Sequence, residues 1–164
     1  MKEIPLTQGK VAIVDDEDYP LVSQYKWHAD CQLGMWYAIS GKHPQITMHR
    51  LILGLQPGDG EGVDHVDRNG LNNRRSNIRI ATRSQNMANT KKSSGGRADF
   101  WGLNSKYKGV TRRNGSRKWY VQIQVNGKTI HLGSYDDEMV AAQVYDDAAK
   151  EYFGEFARCN FGEI

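Results

Sequence analysis

The chain has 164 residues, a net charge of +3 from 22 basic against 19 acidic side chains, and two cysteines, Cys31 and Cys159, far apart. That length admits one domain or two small ones, and the cysteines offer neither a zinc framework nor a disulfide scaffold, as in a reducing compartment. No apolar run resembles a signal peptide or is long enough to span a bilayer, so a cytoplasmic, membrane-free protein is expected.

In chain order, Ile4 to Val14 reads as one or two short strands around Gln8-Gly9. The acidic run Asp15-Asp16-Glu17-Asp18 suits the start of a helix, where negative charge complements the dipole. Pro20 fits that helix's first turn, with Leu21, Val22 and Tyr25 facing inward. A metal site built from the four acids is a minor alternative. Lys26 to Asp30 and Met35 to Ser40 form a hairpin across Gln32-Leu33-Gly34, with Trp27, Trp36 and Tyr37 as core or sheet-surface residues. Ile46 to Leu55 carries a short strand and a helix containing His49-Arg50-Leu51, and His49 reads equally as packing or as a phosphate contact. Pro57 to Gly62 is a turn-rich connection.

The segment from Val63 to Thr90 holds the chemistry. Val63-Asp64-His65-Val66 alternates like a strand, Asp67-Arg68-Asn69-Gly70 is a turn cluster, and a polar loop leads into a second strand, Asn77 to Ala81. Thr82 stands three residues before Gln85, the spacing of a capping box at a helix start. Strand, loop, strand and short helix let an acid, an imidazole and a carboxamide converge. Asp64 and the side-chain oxygen of Asn86 are hard donors suited to Mg²⁺ or Mn²⁺. His65, with an ordinary pKa near 6.5, is able to take a proton from an attacking water. On an ideal strand Asp64 and His65 point to opposite faces, so a twist or bulge is needed to bring both to one substrate.

Asp64-His65-Val66-Asp67, Asn72-Asn73, Ser76-Asn77-Ile78 and Ser84-Gln85-Asn86 resemble the ββα-metal HNH endonucleases, specifically the His-Asn-Asn homing type of phages. The spacing agrees: twelve residues from His65 to Asn77 and nine from Asn77 to Asn86. Met48-His49-Arg50-Leu51-Ile52 looks like the helix that precedes this motif. The resemblance implies one divalent ion on Asp64 and Asn86, His65 as general base, and Asn77 fixing the loop and orienting the histidine.

Charge is unevenly spread. Residues 1–62 carry five basic and eight acidic side chains, 68–98 carry eight basic and no acidic ones, and 106–131 carry seven basic and no acidic ones. Two basic zones are the footprint of a phosphate-binding surface. Arg74, Arg75 and Arg79 are expected to clamp flanking phosphates. Lys91-Lys92-Ser93-Ser94-Gly95-Gly96-Arg97 is a basic Gly/Ser-rich linker that reads equally as a spacer or as a backbone contact.

From Ser105 a second module begins. Tyr107 to Arg113, Lys118 to Val125 and Lys128 to Gly133 read as strands, the last two joined by Asn126-Gly127, a strong hairpin signal. Trp119, Val121, Ile123 and Val125 share one face, and Tyr120, Gln122 and Gln124 the other. A helix from Asp137 to Phe153 covers the apolar face with Val140, Ala141, Val144, Tyr145, Ala148, Ala149 and Tyr152. Tyr107-Lys108-Gly109-Val110, Lys118-Trp119, Leu132-Gly133-Ser134-Tyr135, Ala141-Ala142, Tyr145-Asp146, Ala148-Ala149, Gly154 and Asn160-Phe161 resemble the plant ethylene-response-factor (Apetala-type) DNA-binding domain. That resemblance implies a three-stranded sheet in the major groove with Lys108, Arg113, Lys118, Gln122, Gln124 and His131 at contact positions. Thr111 and His131 depart from the family's usual Arg and Trp, so its target sequence is not carried over.

The expected fold is α+β. It comprises an HNH nuclease domain at 1–90 (ββα-metal core about 62–90) with a small β-rich extension, a linker at 91–104, and a three-stranded antiparallel sheet packed on one helix at 105–164. The expected function is sequence-specific, metal-dependent cleavage of double-stranded DNA, as nicking by a monomer, the favoured state, or cleavage by two copies. The rivals are a DNA-binding regulator with a silent nuclease unit and a defence nuclease with little sequence preference.

Overall fold

The computed structural model describes residues 1–41, 44–56, 58–92 and 105–162. Pro57 and most of the expected linker, 93–104, lie outside these residues. The chain divides into two compact units, Met1–Thr82 and Arg83–Ile164. It is a mixed α/β structure of several small sheets and few helices.

In the amino-terminal unit β1 (Lys2–Pro5) and β2 (Val11–Val14) pair antiparallel around a 3-10 turn at Thr7–Gly9. Ala12 and Val14, alternate residues of β2, are fully buried, as strand periodicity requires. The helix anticipated after the acidic run is a single turn, α1 (Tyr19–Val22), with Pro20 at its start and Val22 buried. Trp27 is anchored to it by an indole N–H donated to the Val22 carbonyl at 2.8 Å. Next comes an antiparallel sheet of β3 (His28–Gln32), β4 (Met35–Ser40) and β5 (Ile46–Thr47), with β4 central. Leu33 and Gly34 at the hairpin tip both have positive φ, 51° and 83°, the backbone of a type I′ turn whose twist matches the strands. The helix α2 (Met48–Ile52) leaves β5 directly and buries Met48 and Ile52. The last pair is β6 (Gly62–His65) with β7 (Ile78–Ala81), and Ile78 joins the core of Val14, Val22, Trp27, Met48 and Ile52.

The carboxy-terminal unit opens with α3 (Arg83–Ala88), followed by the sheet β10-β9-β8: β8 (Val110–Arg112), β9 (Trp119–Val125) and β10 (Lys128–Tyr135). The helix α4 (Glu138–Phe153) lies on it, its end capped by Asp137, which accepts from the Met139 and Val140 N–H groups at 2.7 and 2.9 Å. Asn126 and Gly127 turn the β9–β10 hairpin with φ of 50° and 78°. The first strand is shorter than Tyr107 to Arg113. Gly109 has φ +75°, and a Cβ there would stand 1.9 Å from the Tyr145 ring, so the chain turns sharply over that ring before β8 begins.

The helix face also differs from expectation. Val140 and Tyr152 are 51% and 44% exposed, while Ala142, Asp146 and Phe153 are buried. The stripe is rotated toward small residues because alanines bring the helix axis close to the sheet. That rotation turns Asp146 inward, where it accepts from the Asn160 and Phe161 N–H groups at 2.7 to 2.8 Å and from Asn160 Nδ2 at 2.9 Å. Asn160 in turn accepts from the Lys108 N–H at 2.6 Å and donates to its carbonyl at 3.2 Å. One buried acid thus ties helix, carboxy-terminal tail and strand entry together.

Candidate active site

Asp64 and His65 close β6, opposite Arg79 and Ile78 of β7, and the pairing runs from Gly62 to His65 without a register shift. No bulge separates the two residues, and although adjacent strand side chains alternate, the charge of Asp64 reaches both His65 and Tyr37. Asp64 is buried and its Oδ2 accepts from Arg79 Nε at 3.0 Å and Nη2 at 2.8 Å. Arg79, expected on phosphates, is thus engaged by an acid of the same motif. His65 is 5% exposed and faces two other rings. Its centroid lies 5.0 Å from that of His49, edge to face, and 6.0 Å from that of Tyr37; His49 and Tyr37 are 5.8 Å apart.

The loop between the strands is held by a polar lattice. Asn77 Nδ2 donates to Asp67 Oδ1 at 2.9 Å and to the Asn72 carbonyl at 2.7 Å, and Asn77 Oδ1 accepts from the Asp67 N–H at 2.9 Å. Asp67 also accepts from the Asn69 N–H and from Asn72 Nδ2. Its carboxyl stays below the ordinary value: burial opposes the charge, but the bonds from Asn72, Asn69 and Asn77 outweigh it. The far side of the loop is hooked onto β2, where Ile13 exchanges backbone bonds of 2.8 Å with Leu71 and Asn73. In the Asn69-Gly70 turn cluster, Arg68 takes the left-handed conformation (φ 62°). Gly70 serves close approach instead, since a Cβ there would meet the Trp36 carbonyl oxygen at 2.4 Å and the Tyr37 ring at 2.7 Å.

Burial dominates the ionisation of the ring cluster. It lowers His65 below its ordinary pKa, with Asn73, Asp67 and Asp64 pulling the other way. It lowers His49 to about 3, helped by His65 and Arg50. It raises Tyr37, as does the charge of Asp64. Both imidazoles are neutral at pH 7. His49 Nε2 lies 3.2 Å from Thr47 Oγ1, while His49 Nδ1 is buried with no hydrogen-bond partner. Tyr37, read from sequence as core or sheet surface, and His49, left between packing and phosphate contact, thus border His65. For His49 the sequence signal was its place in Met48-His49-Arg50-Leu51-Ile52, the stretch that looks like the helix preceding the motif; Tyr37 carried none.

The acidic run has a use that sequence order hides. Arg75 Nη2 reaches Asp18 Oδ1 at 2.7 Å and the Ile52 carbonyl at 3.3 Å, and the Arg75 N–H donates to Asp15 at 2.8 Å. Arg74 Nε lies 3.8 Å from Asp15. Asp15, Glu17 and Asp18 do converge, but with Arg75 as their counter-ion, whose own pKa rises through the bond to Asp18. They moor the motif loop.

In the carboxy-terminal unit Asn86 is half-buried on α3. Gln122, Gln124 and His131 are exposed, and register pairs His131 with Gln122 and Thr129 with Gln124 on the sheet face away from α4. Arg113 covers the Tyr120 ring at 4.4 Å and Lys118 lies 4.0 Å from Asp136. Lys108 does not point outward: its ammonium sits on the carbonyls of Ala88 and Thr90, at 2.5 and 2.9 Å, at the end of α3. Burial, then Arg158, lowers it to about 8. A cavity of about 440 Å³ runs beside this face, lined in part by Lys91, Lys92, Lys108, Thr111, Gln122 and Gln124. Trp119 and Tyr107 pack toward the core.

Residues 47–88 match a family described as HNH endonuclease. The chain is 36% identical over 159 residues to an uncharacterized HNH endonuclease of Acanthamoeba polyphaga mimivirus, covering 93% of this chain and 76% of that relative. It is 44% identical over 59 residues to an ethylene-responsive transcription factor of Arabidopsis thaliana, covering 35% of this chain and 14% of that protein. It is 37% identical over 62 residues to a dehydration-responsive element-binding protein of Oryza sativa, covering 37% and 22%.

Proposed function

Because the chain belongs to the HNH endonuclease family, we propose that it is a sequence-specific nuclease of the homing type that hydrolyses a phosphodiester of double-stranded DNA. The observation that carries the reading is the lattice of Asp67, Asn72 and Asn77, which closes the loop immediately beyond Asp64 and His65. A hydrolase needs its reacting groups held before the substrate arrives, and this loop has no freedom to let the strand end drift.

Nucleases of this family work with a divalent metal ion. The donor chemistry here fits one: a buried strand carboxylate, Asp64, and the amide oxygen of Asn86 are hard ligands for Mg²⁺ or Mn²⁺. When bound, such an ion stabilises charge developing on the phosphate and leaving oxygen. His65 takes the proton of the attacking water, while His49 and Tyr37 restrict the ring's rotation by packing against it. Asn77 keeps the loop closed. Arg74, Arg75 and Arg79 are offset by Asp15, Asp18 and Asp64, so any contact they make to flanking phosphates is shared with those acids.

The proposed division of labour is a nuclease at 1–90, a connection at 91–104 and a DNA-binding sheet at 105–164, although α3, which carries Asn86, belongs by compactness to the carboxy-terminal unit. Exposed Gln122 and Gln124 are suited to adenine edges, with His131 beside Gln122 and with Arg113 and Lys118 toward the backbone. Matches of about a third of the chain to a plant transcription factor and a plant element-binding protein support a DNA-binding part. The test is cleavage of a supercoiled plasmid library with Mg²⁺ or Mn²⁺. His65→Ala lowers cleavage by about 10²- to 10⁴-fold, the worth of a general base, with duplex binding retained. Full cleavage by that variant refutes the mechanism, and binding without any cleavage by the wild type favours the silent regulator.

A further inference from the structure

A second concavity of the carboxy-terminal unit, about 360 Å³, is lined by Lys91, Lys92, Lys106, Lys108 and Arg158 together with Tyr107, Cys159 and Asn160. Among the described residues that line it, five of eight are cationic and none is acidic. Cations gathered in one recess repel one another, and folding tolerates this where an anion returns the energy. The repulsion is visible at Lys108, whose ammonium is disfavoured by Arg158 after burial. Asp146 is the acid whose charge also reaches Lys108, and its oxygens are already engaged by the Asn160 and Phe161 amides. The recess is also built rather than casual. Lys108 is pinned on the α3 carbonyls, Lys92 Nζ lies 3.4 Å from the Val110 carbonyl, and Lys106 Nζ rests over the Tyr107 ring at 5.0 Å.

We propose that this recess is a seat for one phosphate of the DNA backbone. The chemistry it selects is a phosphate dianion or phosphodiester, recognised by ammonium and guanidinium groups. Its position argues for the duplex as the source: Lys91, Lys92 and Lys108 line both this recess and the cavity beside Gln122 and Gln124. A strand whose bases meet those glutamines thus has its backbone led to the lysines. The inference rests on the reading of this unit as a duplex binder. The seat carries no base information, so it adds affinity and register without sequence preference.

The experiment is a salt series of affinities for a random-sequence duplex in EDTA, where no cleavage intervenes. Losing one phosphate contact makes the slope of log affinity against log salt shallower by about 0.9. Lys106→Gln/Arg158→Gln is expected to show that change, while Lys2→Gln/Lys26→Gln, with the same loss of charge, keeps the wild-type slope. A wild-type slope in the first double variant overturns the seat, as does an equal change in the control. If Arg158→Gln disturbs folding, Lys91→Gln/Lys106→Gln makes the same comparison. A wild type that binds no duplex overturns the DNA-binding reading and the proposed occupant together. If inorganic phosphate raises the melting temperature of the wild type only, while the variant keeps its salt slope, the seat takes a free phosphate and the backbone assignment fails.

Discussion

Acidification tests the ring cluster through His49. The free imidazole titrates at 6.5, and in the folded protein burial, His65 and Arg50 bring it to about 3. Between those values the unfolded chain binds a proton that the native chain refuses. Stability therefore rises with pH in this window and is lost as pH falls below 6.5, levelling off near 3. Integrating between the two pKa values gives a loss of about 2 to 3 kcal/mol by about pH 4.5. His49→Phe keeps a ring against His65 and Tyr37, removes a buried nitrogen that has no partner, and abolishes this term. Urea unfolding followed by tryptophan fluorescence, repeated from about pH 7.5 to 4.5, measures both proteins. The carboxylates titrate in each and cancel in the difference. The wild type is expected to lose about 2 to 3 kcal/mol more than the variant across the range. A difference that stays flat with pH refutes the claim that His49 is held neutral by its surroundings.

Two stability predictions concern the carboxy-terminal unit. Asp146→Ala strips the Asn160 and Phe161 N–H groups of their buried acceptor and is expected to cost about 3 kcal/mol. Amide exchange at those two residues should accelerate, and a loss under 1 kcal/mol counts against the staple. Gly109→Ala places a methyl group against the Tyr145 ring at a positive φ, so overpacking and backbone strain together cost about 3 kcal/mol. An unchanged melting temperature refutes that account.

Much of this protein is written locally. The Asn126-Gly127 and Leu33-Gly34 turns, the alternation of β9 and the capped start of α4 each depend on residues a few positions apart, where backbone sterics and periodicity decide the outcome. The spacing of Asp64, His65, Asn77 and Asn86 belongs with them, because a compact motif keeps its pattern in the chain itself. The acids at 15–18 are different: local reasoning makes them a helix start, and only the fold reveals Arg75, 57 residues away from Asp18, as their partner.

The same holds for the rings around His65. Tyr37 comes from a central strand and His49 from a one-turn helix, and no local rule says which distant strand end they meet. Arg79 likewise looks like a phosphate clamp until register sets it opposite Asp64. By itself the sequence determined the elements and the motif, because these answer to sterics and periodicity within a few residues. Tertiary structure decided which charges are spent inside the protein and which face a ligand, because burial and pairing depend on packing between segments remote in the chain.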